Sequence, residues 1–308
     1  MLAGCSAVHP ILVRLDSVGL ALPSYGVMLL LSFVAAWFIL MHFTTKKEGL
    51  DRSFVSSAFI LAAVMGIVGA RALYVATNLG TFESPLQWLD LRRGGMVAYG
   101  GFIAGYVTIH IFFRIKNIPF YAWGDSVVPT LALGLALTRI GCYLFGCDFG
   151  QRLGPDAPSW LAALGTFPRW DLAEVGLVGS PAWMHHVQSY GHSPFSAQSL
   201  PVHPTQLYEA VAGLGIFFAS LWLWKGRTFR GQVGLTVVLL YSVWRFFIEL
   251  LRDDPERGEI VGLSTSQLIS LILIPVAVFF YLLARRGAGD GPPPSLRGAA
   301  AGEGSVPP

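Results

Sequence analysis

The chain has 308 residues, of which 54% are apolar and only 13% are Asp, Glu, Lys or Arg, about half the ~25% charge of an ordinary soluble protein. With 21 Phe, 9 Trp and a mean hydropathy of +0.58, so few charges cannot cover a soluble surface. Soluble, disordered, collagen-like and disulfide-scaffold classes are excluded, and a net charge of +3 spread over short loops is too dilute for a nucleic-acid partner.

Residues 1–24 lack a basic n-region and a long apolar run, so they read as an external N-terminal segment rather than a signal peptide. Leu2-Ala3-Gly4-Cys5 resembles a lipoprotein cleavage box, but no hydrophobic segment precedes it and it reads as coincidence. A bilayer-crossing helix takes about 20 mostly apolar residues. Residues 25–43 supply an uncharged first span, 54–76 a second interrupted by Arg71, and 95–113 a third rich in Gly and aromatics. The fourth, 123–145, carries Asp125 near its start and Arg139 near its end, and Pro129 leaves a re-entrant segment as its alternative. Residues 148–202 hold enough Pro, Ser and Trp for an external loop or small subdomain between spans four and five. Spans five to seven follow at 206–224, 233–251 and 262–283, and a Gly/Pro/Ala tail from 285 to 308 is expected to be disordered. The expected fold is an all-α polytopic membrane protein with seven transmembrane helices, its membrane domain covering 25–284.

Orientation follows the Lys and Arg of the loops. With the N-terminus outside, the inner loops hold Lys46, Lys47, Arg52, Arg114, Lys116, Lys225, Arg227, Arg230, Arg285, Arg286 and Arg297, which include every lysine. The outer segments hold fewer, Arg14, Arg92, Arg93, Arg152, Arg169, Arg252 and Arg257, despite being longer. The C-terminus is therefore expected in the cytoplasm.

An ionisable side chain inside a span is costly and asks for a partner or a function. Arg71, Asp125, Arg139, Glu209, Arg245 and Glu249 fall in this class. Mutual pairing that only fixes helix packing is one reading. Three arginines against at most three acids leave the set neutral at best, and any arginine in excess points instead to an anion, since guanidinium grips phosphate bidentately. Tyr241, Arg245, Glu249 and Arg252 recur at helical spacing and share one face. Arg71 and Tyr74 share a face of the second span, where Ala62, Gly66 and Ala70 form a small-xxx-small row. His203-Pro204 precedes Gln206, Tyr208 and Glu209 at the start of the fifth span, with Pro suited to a first helical turn. Polar groups thus gather at the outer end of the spans, where a water- or headgroup-accessible cavity is expected.

Two glycine clusters allow close backbone approach: Arg93-Gly94-Gly95-Met96-Val97-Ala98-Tyr99-Gly100-Gly101, and the run from Arg139-Ile140-Gly141 through Gly146 to Gly150. Neither has the Gly-Lys-Ser/Thr element of a P-loop. Cys142 and Cys147 lack a zinc partner set and read as small residues at a tight turn, with a catalytic thiol as the alternative. His185, His186 and His192 have no companions at ligand spacing, so no metal and no cofactor is expected.

Taken in order, these segments resemble the bacterial prolipoprotein diacylglyceryl transferase family over nearly the whole chain to about residue 284. The resemblance is carried by Ser24-Tyr25-Gly26, Gly69-Ala70-Arg71-Ala72-Leu73-Tyr74, the cluster around Gly100 and Gly101, and Arg139-Ile140-Gly141 through Gly150. It continues through His203-Pro204-Thr205-Gln206-Leu207-Tyr208-Glu209, Arg245-Phe246-Phe247-Ile248-Glu249-Leu250-Leu251-Arg252 and Gly262-Leu263-Ser264-Thr265-Ser266-Gln267. The resemblance implies a multi-pass enzyme of the bacterial cytoplasmic (inner) membrane. Such an enzyme transfers the diacylglyceryl group of phosphatidylglycerol to the lipobox cysteine of preprolipoprotein signal peptides and releases sn-glycerol 1-phosphate. It casts Arg139 as holder of the lipid phosphate and Arg245 as stabiliser of the leaving phosphate charge, oriented by Glu249. It makes Tyr25, Arg71, Gly100, Gly101, Gly141, Gly146, His203, Gln206, Glu209, Tyr241 and Arg252 lining or supporting residues. Many family members carry His, cast as the base, where this chain has Tyr99. Free tyrosine titrates near ~10, so Tyr99 is expected as a catalytic hydrogen-bonding group rather than a strict base. Some members also place a carboxylate at position 147, where this chain has Cys147 followed by Asp148. The alternatives are an impaired relative that binds lipid or lipoprotein precursor without chemistry, and an anion or lipid transporter. The lack of an evident internal repeat weakens the last.

Overall fold

The computed structural model describes residues 8–15, 20–90, 95–118, 120–172, 177–253, 259–260 and 262–288. The Leu2–Cys5 box, Arg92, Arg93, Gly94, Arg257 and the tail from 289 lie outside the described residues.

Seven helices among the described residues are long and apolar enough to cross a membrane: Ser24–Glu48, Arg52–Thr77, Ala98–Ile115, Trp123–Phe145, Thr205–Gly226, Gln232–Leu251 and Thr265–Arg286. Each coincides with an expected span to within a few residues. Large apolar side chains point outward from them, with Phe38 68%, Phe102 63%, Trp222 74% and Phe279 61% exposed. An apolar surface of that extent is stable against lipid and unstable against water. The protein is a multi-pass membrane protein.

The chain divides into two compact units, Met1–Ala36 with Val127–Pro292, and Trp37–Ser126 with Pro293–Pro308. In the first, β1 (Ile11–Leu15) and β2 (Leu20–Pro23) pair antiparallel and lead into α1 (Ser24–Met41), so the N-terminal segment holds a short hairpin. Helix α4 (Phe120–Phe145) runs on through Pro129, and the re-entrant alternative is not what the chain adopts. An interior proline removes one backbone donor, a loss that membrane helices accommodate. After α4 come α5 (Ser159–Leu164), the hairpin of β3 (Asp171–Leu172) and β4 (Leu177–Val178), and α6 (Pro181–Ser189). They surround an apolar core of Tyr143, Phe149, Phe167, Trp170, Ala182 and Val202. Helix α7 (Thr205–Gly226) then packs on α4, where a Cβ at Gly213 would lie 3.0 Å from the Ala136 nitrogen. Helix α8 (Gln232–Ile248) ends in a 3-10 turn, Glu249–Leu251. The hairpin of β5 (Glu259–Ile260) and β6 (Leu263–Ser264) leads into α9 (Thr265–Arg286), which packs on α8. Ser264 caps α9 reciprocally with Gln267, satisfying two amides that the helix start leaves unpaired.

In the second unit α2 (Arg52–Thr77) and α3 (Ala98–Ile115) are packed against each other along their length. Asp51 starts α2 by accepting from the amides of Ser53 and Phe54 at 2.8 and 3.0 Å. The small-residue row does what its spacing predicts: Ala62, Gly66 and Ala70 face Gly101 and Gly105. Nearby, a Cβ on Gly100 would sit 2.3 Å from the Gly69 carbonyl oxygen, so only glycine permits this approach.

Candidate functional site: an arginine–carboxylate network

Three chain segments come together where α4 ends and α7 begins. Residues 149–152 lie between 202–203 and 251–253. Gly150 N donates to His203 O (3.0 Å), His203 N to Gln151 O (2.9 Å), and Gln151 N to Leu251 O (2.7 Å). This short ladder leaves Asp148, the first turn of α7 and Arg252 side by side. The apolar core under it supplies the rigidity, which gives the stretch between spans four and five a structural task.

Six charged side chains interlock there. Glu209, 2% exposed, pairs with Arg139 Nε, with Arg245 Nη1 at 2.8 Å and with Arg252 Nη1 at 3.4 Å. Asp148 receives Arg139 Nη1 at 2.7 Å on Oδ2 and Arg252 Nη2 on Oδ1. Glu249 pairs with Arg245 Nη2 at 2.8 Å, one turn along α8, and the same nitrogen donates to Ser266 Oγ at 3.1 Å. Three guanidinium groups and three carboxylates make this set formally neutral. The sequence set had the same balance but counted Arg71 and Asp125 where the network has Arg252 and Asp148. Buried charges persist only when paired and hydrogen-bonded.

Asp148 stands outside the spans with φ 56°, a left-handed conformation that Asp tolerates better than most residues. Burial works against its ionisation, but Arg139 and Arg252 outweigh that cost and hold its carboxyl below the usual carboxylate range. The backbone around it is anchored too: Thr205 donates to the Asp148 carbonyl at 2.8 Å and Gln206 Nε2 to the Cys147 carbonyl at 2.6 Å. Arg139 keeps one face open. Its Nε and Nη1 are engaged, its Nη2 meets no hydrogen-bond partner among the described residues, and its side chain retains 15% exposure.

Within the same unit the remaining sequence-predicted residues take clear places. The Tyr25 side chain, 40% exposed, lies within electrostatic reach of Arg139, Cys142, Cys147 and Asp148. Gly141 lets α1 close on α4, since a Cβ there would stand 3.1 Å from that of Met28. Gly146 takes φ 75° and ends α4. His203 enters the ladder through its backbone, and its ring Nδ1 lies 3.4 Å from the Tyr208 hydroxyl. Tyr241 packs against the cluster of Ala132, Ile216, Val233 and Val237.

The other unit holds Arg71, Tyr99, Gly100 and Gly101. Arg71 is buried and clamps the segment that follows α2 by its carbonyls: Nε to Trp88 (2.7 Å), Nη1 to Gly95 (3.0 Å), and Nη2 to Gln87 (3.0 Å) and Asp90 (2.9 Å). Tyr99 lies half-buried in the first turn of α3. Gly100 and Gly101 make the α2–α3 contact. Among the described residues Cys142, Cys147 and Asp148 bring ligand-type atoms within 4.8 Å of one another. The sequence offered Asp148 only as a substitute, one residue along, for the carboxylate that some members place at position 147, and it left Ser266 off the site although the Ser-x-x-Gln cap marks the turn that holds it.

Fold and site together define a seven-span membrane protein with a buried, braced arginine cluster at the end of its spans. The chain belongs to the prolipoprotein diacylglyceryl transferase family, whose model matches residues 10–283. A relative from Clostridium tetani is 30% identical over 267 residues, covering 87% of this chain and 95% of the relative. One from Thermus thermophilus is 32% identical over 286 residues, covering 88% and 96%. Both are named phosphatidylglycerol–prolipoprotein diacylglyceryl transferase.

Proposed function

We propose that this chain transfers the diacylglyceryl group of phosphatidylglycerol to the lipobox cysteine thiol of a preprolipoprotein, in the bacterial inner membrane with its N-terminus outside and its C-terminus in the cytoplasm. The thiol sulfur attacks the glyceryl carbon that bears the phosphate ester. A C–S bond forms, the C–O bond breaks, and sn-glycerol 1-phosphate departs while the thiol proton passes to a base or to water. The difficulty is the negative charge of the leaving group, which preorganised cations stabilise without reorganising in the reaction.

The observation that carries this reading is the guanidinium of Arg139, fixed on two sides by Glu209 and Asp148 and open at Nη2. That group is suited to a phosphate oxygen. Arg245, held by Glu209 and Glu249, supports the charge on the departing phosphate. Arg252 keeps Asp148 and Glu209 in place. Tyr25, Gln206 and His203 support the pocket. The test is the purified protein with phosphatidylglycerol and a lipobox peptide, scored by mass for a thioether-linked lipid. Arg139→Lys keeps the charge and loses the planar fork, so its rate is expected to fall at least ~100-fold, the scale of losing one transition-state donor. Near-normal turnover by Arg139→Lys would reduce the network to a packing device. A chain that binds phosphatidylglycerol but leaves the peptide unmodified would favour a non-catalytic relative.

A further inference from the structure

The cap that ends α4 holds an arrangement that the phosphate chemistry does not use. The Cys147 amide donates to the Cys142 carbonyl at 3.1 Å and the Gly146 amide to the Tyr143 carbonyl at 3.1 Å, with Gly146 at φ 75°. This six-to-one and five-to-two pattern is a Schellman cap, a geometry that brings the side chains of its first and last residues into contact. Apolar residues usually fill those two positions. Here both are cysteines, and their sulfurs lie within 4.8 Å of each other. Cys142 is buried and Cys147 is half-buried, so one thiol is reachable and the other shielded behind it. Arg139 Nη1 lies 3.9 Å from the Cys142 sulfur, and the Cys147 sulfur lies 3.9 Å from Asp148 Oδ2.

We propose that Cys142 and Cys147 are a dithiol–disulfide pair, and that closing it weakens anion binding at Arg139. The second half rests on reading Arg139 as a ligand of the lipid phosphate. A soft divalent cation is the competing use of these sulfurs. Its third ligand would be Asp148, whose two oxygens already hold guanidinium groups, and those same groups repel a cation. Disulfide exchange needs no third ligand. The Cys147 thiolate attacks one sulfur of an external disulfide and expels a thiolate. Cys142 then attacks the Cys147 sulfur and expels the second. Two protein thiols are oxidised, the external disulfide is reduced to two thiols, and the protons lost by the protein end on those thiols. Bonded sulfurs stand only ~2.05 Å apart, so closure draws Cys147 toward the helix. The Cys147 carbonyl holds Gln206, and the next residue bridges Arg139 and Arg252, so the movement is delivered to the arginine anchors.

The test uses the full chain, purified in detergent, reduced, treated with oxidised glutathione and freed of reagent. Remaining thiols are blocked with a maleimide under denaturing conditions, and trypsin then releases residues 140–152, which contain both cysteines. The expected peptide is unlabelled and lighter by the mass of two hydrogens, and a reductant restores labelling at both sites. Two maleimides on the oxidised sample, or glutathione retained on either cysteine, would overturn the pair. Retention of radiolabelled phosphatidylglycerol by the oxidised chain is expected to fall roughly tenfold, the equivalent of one charge-assisted hydrogen bond, and to recover on reduction. Cys142→Ser/Cys147→Ser should retain lipid equally with and without glutathione. Unchanged retention by the disulfide-bonded chain would overturn the coupling. If the reduced chain itself retains no phosphatidylglycerol, the proposed function fails and takes the coupling with it. The peptide mass still decides the pair.

Discussion

Replacing Glu209 by Gln preserves shape and one acceptor oxygen while removing the charge on which three arginines converge. Glu209 is 2% exposed and pairs with Arg139, Arg245 and Arg252, so the network passes from neutral to one uncompensated positive charge. The new amide also points N–H groups at guanidinium donors. Removing one member of a buried charge set costs about 3–5 kcal/mol, because the partner left behind has lost both water and counter-charge. At about 2–4 °C per kcal/mol for a large domain, the midpoint of thermal unfolding should drop by roughly 6–20 °C. Thermal unfolding of the purified protein in micelles, followed by tryptophan fluorescence, measures this. Glu209→Gln/Arg252→Gln restores neutrality, so its cost should fall short of the sum of the single changes by about 1–3 kcal/mol. A midpoint for Glu209→Gln within about 1 °C of the unmodified protein, or strictly additive costs in the double variant, would refute the network as a coupled electrostatic unit.

Gly100→Ala places a methyl 2.3 Å from the Gly69 carbonyl oxygen, so α2 and α3 must separate; a loss of about 1–3 kcal/mol is expected, whereas Gly80→Ala meets nothing within 4 Å and should be close to neutral. Arg71→Lys keeps the charge but cannot serve the carbonyls of Gln87, Trp88, Asp90 and Gly95 together, and limited proteolysis should show faster cleavage between residues 82 and 97. His186 accepts the Leu200 amide on Nδ1 at 3.1 Å, and burial, followed by repulsion from His185 and His192, pushes its pKa down to about 4. The unfolded chain, with His near ~6.5, therefore takes up the proton first. Stability held above that value is lost as pH falls toward 4, by at most about 3 kcal/mol and roughly half that after solvent screening. Unfolding midpoints at neutral pH and near the lower value should show the loss in the unmodified protein and a flatter profile in His186→Gln.

The sequence by itself determined the solvent and the count of spans. Twenty apolar residues in a row have one stable answer in a bilayer, and that answer depends on composition rather than on neighbours. It also determined features with short-range causes: the Ala62, Gly66, Ala70 row on α2, the Asp51 cap, the Ser264–Gln267 box and the shared face of Arg245 and Glu249. The tertiary structure decided what pairs with what. Asp148 and Arg252 are separated by 104 positions and meet because a small apolar core holds residues 149–152, next to Asp148, against residues 251–253. No periodicity announces such a contact. Helical spacing grouped Tyr241 with the arginines, and the fold shows it packed against the Ala132, Ile216, Val233 and Val237 cluster. Charge arithmetic along the chain left the set neutral at best, and only the fold showed which carboxylates come near enough to pair with the arginines. Local rules reach about one helical turn; the placing of buried charges is settled by distant segments that must desolvate together.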